Sequence, residues 1–153
     1  MENVKKILVV SRMTSDCRDA VHYGVSLARQ CGAELYILHV VHNPFGLEGW
    51  SLPTVTLEQD FAKIMEDAKK DIDAILKKEQ KDGLTITELV KKGEPTEEIL
   101  KTVKELKIDL LVMLAHQEWR IEHFLFGRSN EEIVRKMPCS VLLVKKEPEP
   151  VRW

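Results

Sequence analysis

The residues best placed to do chemistry lie in the stretch LAHQEWRIEHFLFGRSNEE, from Leu114 to Glu132. It follows an apolar run and holds a single glycine, Gly127, just ahead of a helical pattern that opens near Asn130. A helix N-terminus presents unpaired N–H groups and the positive end of the helix dipole, which together favour a negative group. Arg128 adds a forked donor beside that point, and Ser129 or Asn130 is a suitable cap. The chemistry these types allow is the binding of a phosphate or a carboxylate. The same arginines, with Arg12 from the first loop, also fit a plain surface role, paired with carboxylates such as Glu118 or Asp16.

Other chemistries find less support. His116, Glu118, Glu122 and His123 are metal-ligand types, but their spacing follows no ligand pattern and no cysteine lies between them, so no metal is expected. Ser11, Thr14, Ser15 and Ser129 read as turn and cap residues, and no G-x-S-x-G elbow exposes a nucleophile. No catalytic residue is assigned, and the chain reads as a non-enzyme. Cys17, Cys31 and Cys139 form no C-x-x-C pair and read as reduced, buried small hydrophobes. His39, within an apolar strand, reads as structural. Phe124, Leu125 and Phe126 read as packing that anchors the loop, and Trp119 either covers the crevice or shields local backbone.

The elements that must position this stretch alternate in kind. Ile7–Val10, Leu35–Val41, Leu84–Val90, Leu110–Leu114 and Val141–Val144 are short runs rich in Val, Ile and Leu, as in parallel strands covered on both faces. The third is weaker, with Leu84, Ile86 and Leu89 set against Thr85, Thr87 and Glu88, and predicts a less covered strand. Between the runs, helical spacing marks residues 16–30, stopped by Gly32, and residues 57–80, stopped by Lys81-Asp82-Gly83. A third helix opens at Gly93-Glu94-Pro95, and a fourth spans about Asn130–Lys136 before Pro138. Strict alternation predicts an α/β fold: an open, doubly wound, Rossmann-like sheet of five parallel strands with four main helices. Ligands of such sheets sit beyond the C-terminal strand ends where strand order reverses. The loops Ser11–Ser15 and Ala115–Gly127 should meet there. Residues 1–146 form one domain and 147–153 a C-terminal extension, while the connection 42–56 is either a binding loop or a mobile one.

The chain has 153 residues, 44% of them hydrophobic and 31% charged, with a net charge of −2. That is a globular composition with no basic excess to neutralise nucleic acid. The N-terminal apolar run is too short for a signal peptide or a membrane span, so no membrane contact and a cytoplasmic location are expected.

In order along Lys5–Lys145, three stretches resemble the universal stress protein family: KKILVVSRMTSDCRDAVHYGVSLARQCGAELYILHVV, KKGEPTEEILKTVKELKIDLLVM with Gly93, Pro95, Ile99 and Asp109, and FGRSNEEIVRKMPCSVLLVKK. The resemblance implies the fold of the adenine nucleotide alpha hydrolases. Members that bind ATP share a G-x2-G-x9-G-(S/T) loop after the fourth strand and an aspartate just after the first. Laid on this chain, the glycines fall on Leu114, Gln117 and Gly127, the hydroxyl residue on Arg128 and the aspartate on Arg12, so one position of five matches. Leu114 and Gln117 return a Cβ where the backbone must approach a phosphate, and Arg12 cannot accept a hydrogen bond from a sugar or adenine.

The resemblance therefore implies a member with a degenerate nucleotide site and no bound cofactor of the usual kind, acting by interaction or regulation with an unidentified protein partner. The alternative is an adenine nucleotide, ATP or AMP, bound or slowly hydrolysed, or another anion, held by backbone at Val41 and by Gly127 and Arg128. The candidate crevice comprises Arg12, Val41, Gln117, Gly127, Arg128, Ser129 and Asn130. The final strand, Ser140, Val141, Leu142, Leu143 and Val144, should present an apolar edge. The resemblance implies that this edge pairs antiparallel across a two-fold axis to form a homodimer.

Overall fold

The computed structural model describes residues 3–11, 17–41, 55–115 and 130–145. Along them run β1 (Lys6–Ser11), α1 (Cys17–Cys31), β2 (Glu34–Val41), α2 (Val55–Lys81), β3 (Ile86–Lys92), α3 (Pro95–Leu106), β4 (Leu110–Leu114), α4 (helical over residues 130–136) and β5 (Ser140–Val144). All strand pairs are parallel, in the order β3-β2-β1-β4-β5. The chain steps outward from β1 through β2 to β3, then returns to β4 on the other side of β1. The doubly wound sheet expected from the alternation is what forms.

β1 explains why its sequence is a continuous apolar run. Ile7 and Val9 pack toward Val21 and Val25 of α1 and Ile72 and Leu76 of α2, while Leu8 and Val10 pack toward Ile99 and Val103 of α3 and Ile133 of α4. No member of that run is more than 2% exposed. A strand covered on both faces has no outward row to fill with polar residues.

The helix ends follow local chemistry. Gly32 sits at φ 64, and Ala33 N–H donates to the Ala28 carbonyl, closing α1 in the expected way. Glu94 caps α3 by accepting from Glu97 N–H at 2.8 Å, with Pro95 in the first turn. α3 closes on a lysine: Lys107 takes φ 54, and Ile108 N–H reaches the Val103 carbonyl. Met137 takes φ 41 after α4, just before Pro138.

Three expectations need correction. β3 starts at Ile86, not Leu84, because the backbone at 82–84 is used in closing α2: the N–H groups of Asp82 and Leu84 donate to the Glu79 carbonyl and that of Gly83 to the Gln80 carbonyl. The grouping of Ile86 with Leu89 also fails. Ile86 packs on the α1/α2 side and Leu89 on the α3/α4 side, so Glu88 shares the inward row of Ile86. Cys31 is exposed rather than buried, because it ends α1, and Cys139 is half-buried. Partial burial pushes the Cys139 thiol above its ordinary value, which keeps it protonated and unreactive. The side chain of Cys17 lies outside the described residues.

Asp109, ahead of β4, joins the two halves of the sheet. Its carboxylate accepts from the N–H groups of Lys5 and Lys6, both at 2.9 Å, and its own N–H donates to the Lys6 carbonyl at 3.0 Å. Above it, α1 lies close on β1. A Cβ on Gly24 would stand 2.2 Å from Cγ2 of Val9, and valine is stiff about χ1. Gly24→Ala should lower stability by about 1–3 kcal/mol through overpacking, against the roughly 1 kcal/mol that alanine gains in a helix. In urea denaturation, the Val9→Ala/Gly24→Ala double variant should lose less than the sum of the two single losses; strict additivity would rule the contact out.

Candidate functional site

The reversal of strand order sets the C-terminal ends of β1 and β4 side by side, the place where such sheets hold a crevice. Leu8 pairs with Leu111 and Val9 with Val112, so the same register carried two places further sets Ser11 level with Leu114. The two loops singled out in the sequence therefore leave the sheet side by side. Ser11 is fully buried and stands opposite His39 of β2, and β2 ends two residues later at Val41, opposite Lys92 of β3. On the far side of β4, Ala115 N–H donates to the Val144 carbonyl at 2.8 Å, so β5 supports the start of the long loop.

Leu114 shows how that loop begins. Its side chain is half-buried and packs against the core shared with α1. Its carbonyl accepts from Nδ2 of Asn130 at 2.9 Å. Asn130, 9% exposed, is already helical, and its side chain reaches back across 16 positions to tie the start of α4 to the end of β4. It therefore works as a strand-to-helix tie. Of the candidate crevice residues, the structure places Asn130 and the backbone of Val41. Arg12, Gln117, Gly127, Arg128 and Ser129 lie outside the described residues, as do His116, Glu118, Trp119, Glu122, His123, the Phe124–Phe126 triplet, residues 42–54 and the extension 147–153.

His39 marks a cluster that sequence reasoning did not assemble. The ring is fully buried, with Nε2 3.0 Å from a carboxylate oxygen of Glu88. Lys69 of α2 lies 3.8 Å from the same oxygen and bonds Asp73 at 2.9 Å. Burial holds the imidazole below its ordinary value, with Glu88 and Asp73 pulling it up and Lys69 pushing it down. The bond to Asp73 holds the Lys69 ammonium above its own ordinary value. The signal available in the sequence was Glu88, a charge on the inward row of a strand.

Among the described residues, no group of three or more His, Cys, Asp or Glu is placed to hold a metal ion, and no helix is long and apolar enough to cross a membrane. A cavity of about 600 Å³ opens at the opposite, N-terminal end of the strands, lined by Asn3, Val4, Lys5, Asp109 and Ser140. Its carboxylate is already engaged with the Lys5 and Lys6 backbone.

Fold and crevice together define a Rossmann-like, doubly wound α/β protein. The profile of the Universal stress protein family matches residues 3–145, and the chain belongs to that family. It is similar to universal stress protein MJ0531 of Methanocaldococcus jannaschii, with 30% identity over 151 residues that cover 95% of this chain and 85% of the relative. The solved structure of protein MJ0577 from the same organism superposes with a TM-score of 0.67 at 22% identity, covering 96% of this chain and 99% of the other. The structure of the universal stress protein from Archaeoglobus fulgidus in complex with dAMP gives a TM-score of 0.58 at 18% identity, covering 95% and 100%. At such identities these two structures speak for the fold alone.

The tie between Asn130 and Leu114 is directly testable. Asn130→Ala should lower stability by about 1–2 kcal/mol, since it strips a part-buried carbonyl of its donor. An unchanged urea midpoint would show that Asn130 does not hold the two elements together.

Proposed function

We propose that this chain is a homodimeric universal stress protein that acts by interaction or regulation, rather than by catalysis, and does not hold ATP in the family's usual way. The observation that carries the reading is Leu114. It stands where nucleotide-binding members place the first glycine of the phosphate loop, and its side chain is committed to the core while Asn130 occupies its carbonyl. A glycine there leaves backbone free to approach a phosphate; a packed leucine does not. Gln117, Arg128 and Arg12 depart from the same pattern. The crevice is then repacked, or tuned to another anion by Arg12 and Arg128.

A second reading keeps the nucleotide. The fold is shared with the dAMP complex of the Archaeoglobus fulgidus protein, and the chain retains Gly127 ahead of a helix N-terminus. An adenine nucleotide would then meet the backbone at Val41 and the Gly127–Arg128 corner, with Ser129 near the phosphate. Melting of the nucleotide-stripped protein with ATP or AMP separates the two. Ligand at a hundred times its dissociation constant adds about 2.7 kcal/mol, a visible rise in Tm. The first reading expects no shift at millimolar nucleotide. A clear shift would overturn it, and the second reading then expects Arg128→Ala to weaken the response.

The homodimer rests on β5. It is an edge strand, with Val141 and Leu142 half-buried and Leu143 44% exposed. Such a rim is usually covered or paired. Antiparallel pairing of Ser140–Val144 with a second copy would satisfy its free backbone groups, leaving Lys145 at the end of the ribbon. Leu142→Arg should sediment as a monomer; a dimer that survives the substitution would refute this interface.

A further inference from the structure

On the α1/α2 side of β2, His39 follows Leu35 and Ile37 in a row that is otherwise aliphatic. Its Nε2 meets Glu88 at 3.0 Å, and its Nδ1 is buried with no hydrogen-bond partner among the described residues. Glu88 is 32% exposed on the edge strand β3, and it also lies 3.8 Å from Lys69 of α2. Among the described residues, the polar groups facing this ring are Ser11 from β1, Glu88 from β3, and Lys69 with Asp73 from α2. One imidazole thus joins β2 to the sheet edge, and the edge carboxylate joins both to the helix above.

We propose that His39, Glu88 and Lys69 form an acid-released latch, in which protonation of His39 frees α2 from β2 and the edge strand β3. With a carboxylate as its partner, the neutral ring donates from Nε2–H and leaves the Nδ1 lone pair in the core. A proton arriving at Nδ1 creates a buried positive donor with no acceptor, and a second cation competing for Glu88. A buried charged donor without a partner is costly, and the cost is relieved when the helix lifts and water reaches Nδ1.

The sign follows from burial outweighing the pull of Glu88 and Asp73, so the closed state holds this proton more weakly than an ordinary histidine. In the open state the ring titrates near its ordinary value of about 6.5. The latch is therefore fully closed above that pH. Its advantage is lost as pH falls from about 6.5 toward the lower value of the closed state. For one proton, the ratio of open to closed rises by up to about tenfold between pH 7.5 and 5.5. β2 ends at Val41, two positions past His39, so release acts on the rim of the crevice whether or not a ligand sits there.

Native-state hydrogen exchange on the full chain, with each rate divided by its intrinsic rate at that pH, tests the latch. Protection of amides in α2 and β3 should fall by up to about tenfold from pH 7.5 to 5.5, while β1 and β4 hold theirs, and His39→Gln should remove the dependence. Flat protection in the unaltered protein, or the same fall in His39→Gln, overturns the proposal. Should that variant not fold, NMR titration of the His39 ring in the unaltered protein decides: a value below that of free histidine is expected, and one at or above it refutes the latch.

Discussion

Everything in this molecule follows from burying β1 on both faces. A parallel strand at the centre of a sheet cannot expose either row of side chains, so helices must cover both sides. A chain that covers both sides must cross over in two directions from the strand it began with. That reversal separates the loop after β1 from the loop after β4 while setting their roots at Ser11 and Leu114 side by side. The crevice is thus a by-product of core formation, present before any residue in it is chosen for a ligand.

On such a scaffold, holding a ligand and holding the fold compete for the same positions. Leu114 and Asn130 have been given to the fold: one packs inward, and the other spans from α4 to the end of β4.

The sequence disclosed those parts of the structure whose causes are local. The apolar runs of β1, β2 and β4 state their own double coverage, and Gly32, Pro95 and Pro138 mark helix ends because their backbones suit those places. The fold class was therefore legible, and the strand order at β1 and the edge position of β5 followed from that class rather than from any local signal. What stayed hidden has non-local causes. The partnership of His39 with Glu88 and Lys69 depends on three elements meeting, and no spacing along the chain announces it. Lys107 in a left-handed conformation breaks the preference for glycine because Ile108 must be drawn into the core beneath α3. Leu84 resembles the start of β3, but its N–H is used in closing α2. The candidate site was legible as a place and as a set of substitutions; of its side chains, only Asn130 acquired a geometry.

The clamp at Asp109 has a consequence for how the chain assembles. β1 pairs Ile7 with Leu35, 28 positions along, but with Leu110 only after 103. Closing the longer loop costs about 1 kcal/mol more in chain entropy. Asp109 meets that cost at the first point of contact, taking two N–H groups from Lys5 and Lys6 as β4 arrives. The seam between β1 and β4 is the pairing of greatest sequence separation in the sheet, and Ser11 and Leu114 stand level at its far end.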